Sequence, residues 1–129
     1  MDIVVDFDGT CVTHEYPKVG KEIGATQVLR ELADAGHRLI LFTMRCNDKK
    51  KKNFTLSDAT QWFQERDIPL FGVQINPMQS EWTSSPKAYG DLYIDDTALG
   101  CPLVFPKDGS RPYVDWTEVR EMLVKMSVI

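Results

Sequence analysis

The sequence predicts an α/β fold: a doubly wound, three-layer parallel sheet of about five strands, with helices on both faces. Three observations predict it. Short apolar runs alternate with amphipathic segments along the whole chain, the pattern of strand–helix–strand units joined by right-handed crossovers. The run RLILFT, Arg38–Thr43, is almost continuously apolar, as a parallel strand covered on both faces should be. Polar clusters follow the ends of several apolar runs, where open α/β sheets bind their ligands.

Taken in order, Asp2–Asp6 is the first strand. Ala25–Ala35 places Val28, Leu29 and Leu32 at helical spacing, and Gly36 is a fitting stop. Arg38–Thr43 is the second strand. Ser57–Glu65 carries Ala59, Trp62 and Phe63 toward a core, with Ser57 or Thr55 as its cap. Phe71–Ile75 and Asp91–Asp95 read as the third and fourth strands, and Leu103–Phe105 as a short fifth. Asp115–Met126 closes the chain as a helix, where Asp115 caps and Glu118 completes a capping-box spacing.

At 129 residues, with 43% hydrophobic and 26% charged residues, residues 1–129 form a single soluble-type domain. No apolar run has the length of a membrane span, and the first residues do not read as a signal peptide, so a cytoplasmic location is expected. Cys11, Cys46 and Cys101 contain no CxxC pair and suggest neither a disulfide framework nor a zinc site. His14 and His37 are too few for a histidine metal centre. The net charge of −4 argues against a general nucleic-acid binder.

The chemistry concentrates in VVDFDGT, Val4–Thr10, where a buried strand runs into Asp6 and Asp8. The topology brings that end beside Thr43 and beside Asp95–Asp96. Carboxylates gathered this closely disfavour one another's ionisation, and a divalent cation removes the conflict. An all-oxygen set favours Mg²⁺. Lys87, after Ser84-Ser85-Pro86, is expected to reach the same edge and hold a phosphate oxygen. Gly9 lets the chain turn away close to a bound anion.

Together DFDGT (Asp6–Thr10), LFT (Leu41–Thr43), Lys87 and YIDD (Tyr93–Asp96) resemble the four ordered motifs of haloacid-dehalogenase (HAD) superfamily phosphatases. The resemblance spans residues 6 to 96. It implies a HAD-like, Rossmann-like fold and a phosphatase working through an aspartyl-phosphate on Asp6, with Asp8 as general acid and base. It further implies phosphoryl binding by Thr43 and Lys87, and Mg²⁺ held by Asp6, Asp95 and the Asp8 carbonyl, with Asp96 as ligand or as orienting group. Gly9, Thr10 and Arg45 are the remaining substrate-binding candidates, Arg45 being either a phosphate contact or a salt-bridge residue. Asp91 is assigned to the start of the fourth strand, away from the site. The segments Cys11–Gly24 and Asn76–Pro86 are too short for an inserted cap, so a capless, open site is implied.

The implied partner is a phosphorylated substrate, a small molecule or a nucleotide or polynucleotide end, and a homo-oligomer is one way of supplying a lid. His14, Glu15, Tyr16 and Lys18 lie in the short loop above the site. Lys49–Lys52 reads either as a solvated loop or as an electrostatic guide for an anionic substrate. Trp82 reads as a loop residue or a stacking surface. Two other classes compete: a receiver-type signalling domain, whose phospho-acceptor would end the third strand where this chain has Ile75-Asn76-Pro77, and an idle phosphate- or Mg²⁺-binding module. A phosphotransferase is a further alternative within the same chemistry.

Overall fold

Four of the apolar runs pair side by side, all parallel, in the order Gly72–Val73, Arg38–Leu41, Asp2–Val5, Leu92–Ile94. The computed structural model describes Met1 to Ile129. Its elements are β1 (Asp2–Val5), α1 (Ala25–Asp34), β2 (Arg38–Leu41), α2 (Thr55–Glu65), β3 (Gly72–Val73), β4 (Leu92–Ile94), β5 (Leu103–Val104), β6 (Tyr113–Val114) and α3 (Trp116–Lys125). No helix is long and apolar enough to cross a membrane.

Alternation along the strands divides the core. Ile3, Val5, Leu39 and Leu41 join Phe7 and the buried apolar residues of all three helices in one cluster. Trp62 and Phe63 lie in it, as their helical spacing predicts. Val4 and Ile40 face the other way and meet Ala88, with Phe42 and Phe71 beside them. That second face is crossed by the chain between β3 and β4, which holds one short 3₁₀ turn, Gln79–Glu81, and no α-helix. Helices on both faces are therefore not what the chain builds: Pro77, Pro86 and a lack of apolar periodicity leave this crossover irregular. Gln79 holds it in shape, donating from Nε2 to the carbonyls of Ser85 and Lys87 and accepting from the Tyr89 amide.

Three further expectations change. The sheet has four strands, and Leu103–Val104 pairs antiparallel with Tyr113–Val114 in a separate ribbon. Pro102 and Pro106 flank β5 and remove donors that a longer ladder would need. Helix α2 begins at Thr55, and its cap is neither Thr55 nor Ser57. Asn53 Oδ1 accepts the Thr55 amide and Asn47 Oδ1 the Ser57 amide. Asp115 does cap α3, accepting from the amides of Thr117 and Glu118.

The last segment ties itself to the turn after β1. The Val114 amide donates to the Gly9 carbonyl at 2.9 Å, and buried Trp116 Nε1 donates to the Thr10 carbonyl at 2.7 Å. Trp116→Phe keeps the ring in the core and strips a buried carbonyl of its donor. Urea unfolding is expected to show a loss of about 1–3 kcal/mol.

Candidate active site

Strand order reverses at β1, which sends the chain to β2 on one side and receives β4 on the other. The crevice at such a reversal is where open α/β sheets bind ligands. The register pairs Val5 with Ile94, and the Asp6 amide donates to the Ile94 carbonyl at 3.1 Å. The next residues on the two strands, Asp6 and Asp95, are therefore neighbours, and Asp96 follows. Oxygens from Asp6, Asp95 and Asp96 lie within 4.8 Å of one another, a set that could hold a metal ion. Burial, and then the charge of Asp95, push the Asp6 carboxyl up to about 7. Such a group is short of positive charge, which is the chemical fit for a hard cation with oxygen ligands.

Side chains around the turn hold this cluster in place. Thr10 Oγ accepts the Asp96 amide at 3.0 Å and donates to Asp6 Oδ2 at 2.9 Å, with Asp96 Oδ1 competing at 3.3 Å. His14 Nε2 lies 2.8 Å from Asp96 Oδ2. An ionised carboxylate only accepts, so that nitrogen carries the proton. Gly9, at φ 79°, leaves room for the pair: a Cβ there would overlap the His14 ring and Asp96. Asp95 accepts from the amide and hydroxyl of Thr97.

Asp8 points elsewhere in the same cleft, of about 530 Å³. Arg45 grips it with a two-pronged fork, Nε to Oδ2 at 2.8 Å and Nη2 to Oδ1 at 2.7 Å. The remaining guanidinium donors go to the carbonyls of Lys18, Pro17 and Thr55. All five donors are thus consumed, and the side chain is fully buried. Gln74, at φ 66°, is the other clamp: its side chain accepts the Thr43 amide and donates to the carbonyls of Thr43 and Arg45. These bonds hold a left-handed backbone that a non-glycine residue seldom adopts.

The structure thus gathers Asp6, Asp8, Thr43, Asp95 and Asp96 around one cleft. It sets four other candidates apart from that group. Lys87 does not line the cleft. The helix-free crossover leaves it exposed on the second sheet face, with its Nζ 5.9 Å from the centre of the Tyr93 ring. Arg45 is a buried partner of Asp8 and has no donor left for phosphate. Thr10 is fully buried, so it orders Asp6 and Asp96 without touching substrate. The Gly9 amide is committed to the Val12 carbonyl at 2.7 Å, so Gly9 serves as a turn and not as a phosphate donor. Among the proposed metal residues, the Asp8 carboxylate stands apart from the three-carboxylate set.

Trp82 packs edge-on against Tyr89 beside Lys87, away from the cleft. Asp91 sits at the opposite end of β4, accepting the Asp2 amide at 2.7 Å, as its placement at the strand start predicts. Lys49–Lys52 forms a turn pinned by Asp48 Oδ1 to the amides of Lys50 and Lys51. Lys51 and Lys52 line a groove with Tyr16, which also borders the cleft. Arg111, absent from the sequence-derived set, lines the cleft too.

Replacing Arg45 by Met strands the Asp8 charge and takes a donor from three backbone carbonyls, those of Pro17, Lys18 and Thr55. Chemical denaturation is expected to show a loss of about 3–5 kcal/mol, and Arg45→Lys recovers only a minor part because one ammonium cannot reproduce the fork.

No protein-family model and no curated protein matches the chain. A solved structure, that of a conserved protein coded by a locus of Bacteroides thetaiotaomicron, is similar with a TM-score of 0.75 and 33% identity, covering 98% of this chain and 91% of that one. With a third of the residues identical over nearly the whole of both chains, the protein belongs to the same family as that conserved Bacteroides protein.

Proposed function

We propose that the protein is a Mg²⁺-dependent phosphomonoesterase of the HAD type, with the doubly wound, capless chain course of that superfamily and an aspartyl-phosphate formed on Asp6. One observation carries the reading. The two aspartates of DFDGT part company across a single cleft, Asp6 toward Asp95 and Asp96 and Asp8 toward Arg45. Two carboxylates in different environments can divide two roles, attack and proton transfer. The substrate is a phosphorylated small molecule or a nucleotide or polynucleotide end.

Mg²⁺ between Asp6, Asp95 and Asp96 would neutralise charge on the nucleophile and on the phosphoryl oxygens. An oxygen of Asp6 attacks phosphorus as the bond from phosphorus to the leaving oxygen breaks, and Asp8 gives that oxygen its proton. Water then attacks the same phosphorus, Asp8 takes the water's proton, and inorganic phosphate leaves with Asp6 restored. Thr43 faces the cleft with its hydroxyl. The hydroxyl accepts the Arg45 amide at 3.1 Å and keeps its own proton for a phosphoryl oxygen.

A second reading, an idle module that binds Mg²⁺ and phosphate without turnover, is favoured by the Arg45 fork. To deliver a proton, Asp8 must first release one of the two bonds it receives.

With Mg²⁺, the purified protein is expected to hydrolyse a generic aryl phosphate, and chelation abolishes the activity. Asp6→Asn shows no turnover, and Asp8→Asn loses about 10²–10⁴-fold in kcat. Mg²⁺ and phosphate binding without any hydrolysis across a broad phosphate panel would instead establish the idle module.

A further inference from the structure

Resting on the phosphatase reading, we propose that Arg111, in the loop joining β5 and β6, is the cation that recognises the phosphoryl group, the role a lysine before β4 would otherwise fill. A phosphate dianion entering a cleft with four aspartates needs a cationic side chain in addition to a metal. The other basic side chains that line the cleft are spent, and the lysine expected there is absent. Arg45 has all five donors in use, and His14 is turned onto Asp96 at 2.8 Å. Lys87 lies over Tyr93 on the second sheet face. Arg111 borders the cleft, is exposed, and its guanidinium is in no hydrogen bond or ion pair. A free planar fork matches two phosphoryl oxygens, a contact a point-charge ammonium does not reproduce.

The backbone gives this arginine a defined station. The ribbon hangs from the turn after β1 through Val114 to Gly9 at 2.9 Å and Trp116 to Thr10 at 2.7 Å. Asp115 ties back to Pro102 at 2.9 Å, closing the base of the loop. Within the loop, Asp108 Oδ1 accepts the Ser110 amide and hydroxyl, and Gly109 takes the left-handed turn. The loop is thus anchored to the same turn that holds Asp6 and Asp8. The long side chain of Arg111 stays free to close on a ligand.

The test compares wild type, Arg111→Ala, Arg111→Lys and Lys87→Ala in two assays with Mg²⁺: aryl phosphate hydrolysis, and calorimetric binding of inorganic phosphate. Arg111→Ala is expected to raise KM and weaken phosphate binding by about tenfold or more, a charge-assisted hydrogen-bond effect, with a smaller change in kcat. Arg111→Lys recovers part of the binding. Lys87→Ala stays within about twofold in both assays, as for an exposed surface charge. Arg111 is exposed, and an unchanged circular dichroism spectrum and melting temperature confirm that its variants fold. If Lys87→Ala carries the loss and Arg111→Ala does not, the proposal is overturned. It is equally overturned if wild type binds no phosphate, or if Arg111→Ala binds it as wild type does. Phosphate binding that depends on Arg111 in a protein that hydrolyses nothing upholds the proposal and removes the phosphatase reading alone.

Discussion

The parallel register of β1 against β4 is the constraint on which the rest of the structure depends. Pairing Val5 with Ile94 leaves Asp6 and Asp95 no alternative to adjacency, and Asp96 follows on the same turn. Sliding the strands by one residue would relieve the repulsion and turn Ile94 or Val5 out of the core, so burial of the strands enforces the charge cluster. Thr10 and His14 answer part of the cost with hydrogen bonds. Asp6 still sits near neutrality, held up by burial and by Asp95. A cation of charge two against three carboxylates would resolve what hydrogen bonds cannot.

Asp8 lives under a different regime. Its partner Arg45 is buried, and it joins the loop at Pro17 and Lys18, the start of α2 at Thr55 and the turn after β1 into one network. Breaking such a network at one member is costly because the remaining groups are stranded away from water. The two aspartates of one short motif therefore occupy opposite electrostatic environments. One lacks positive charge and the other has a full guanidinium. The proposed division of roles therefore requires a cation beside Asp6 to favour its charged, nucleophilic form, and one bond of the Arg45 fork to open before Asp8 can carry a proton.

Much of this was legible in the sequence where the signal is local. The apolar runs, the helical spacing of Trp62 and Phe63, the Asp115 cap and the polar residues closing β1 and β4 depend on near neighbours. What failed depends on distant chain. Lys87 reads as a site residue because it lies just before β4, and the irregular crossover with its 3₁₀ turn sets it over Tyr93 on the second sheet face instead. Arg45 shows in the sequence as a cation beside Thr43, while the carbonyls that consume it belong to residues 17, 18 and 55. Arg111 was missed because β6, only two residues long, leaves almost no periodic trace, so the ribbon that carries its loop was not visible. Gln74 was missed because its role rests on a left-handed backbone in a residue type that gives no warning of it.

The central claim is that Asp6, Asp95 and Asp96 together bind one divalent cation. A crystal of the wild-type protein soaked in Mn²⁺, with anomalous diffraction recorded, tests it most directly. The account predicts an anomalous peak coordinated by oxygens of Asp6 and Asp95, lost in Asp95→Asn crystals. An empty carboxylate cluster at millimolar Mn²⁺, with the three side chains ordered as described, would contradict it.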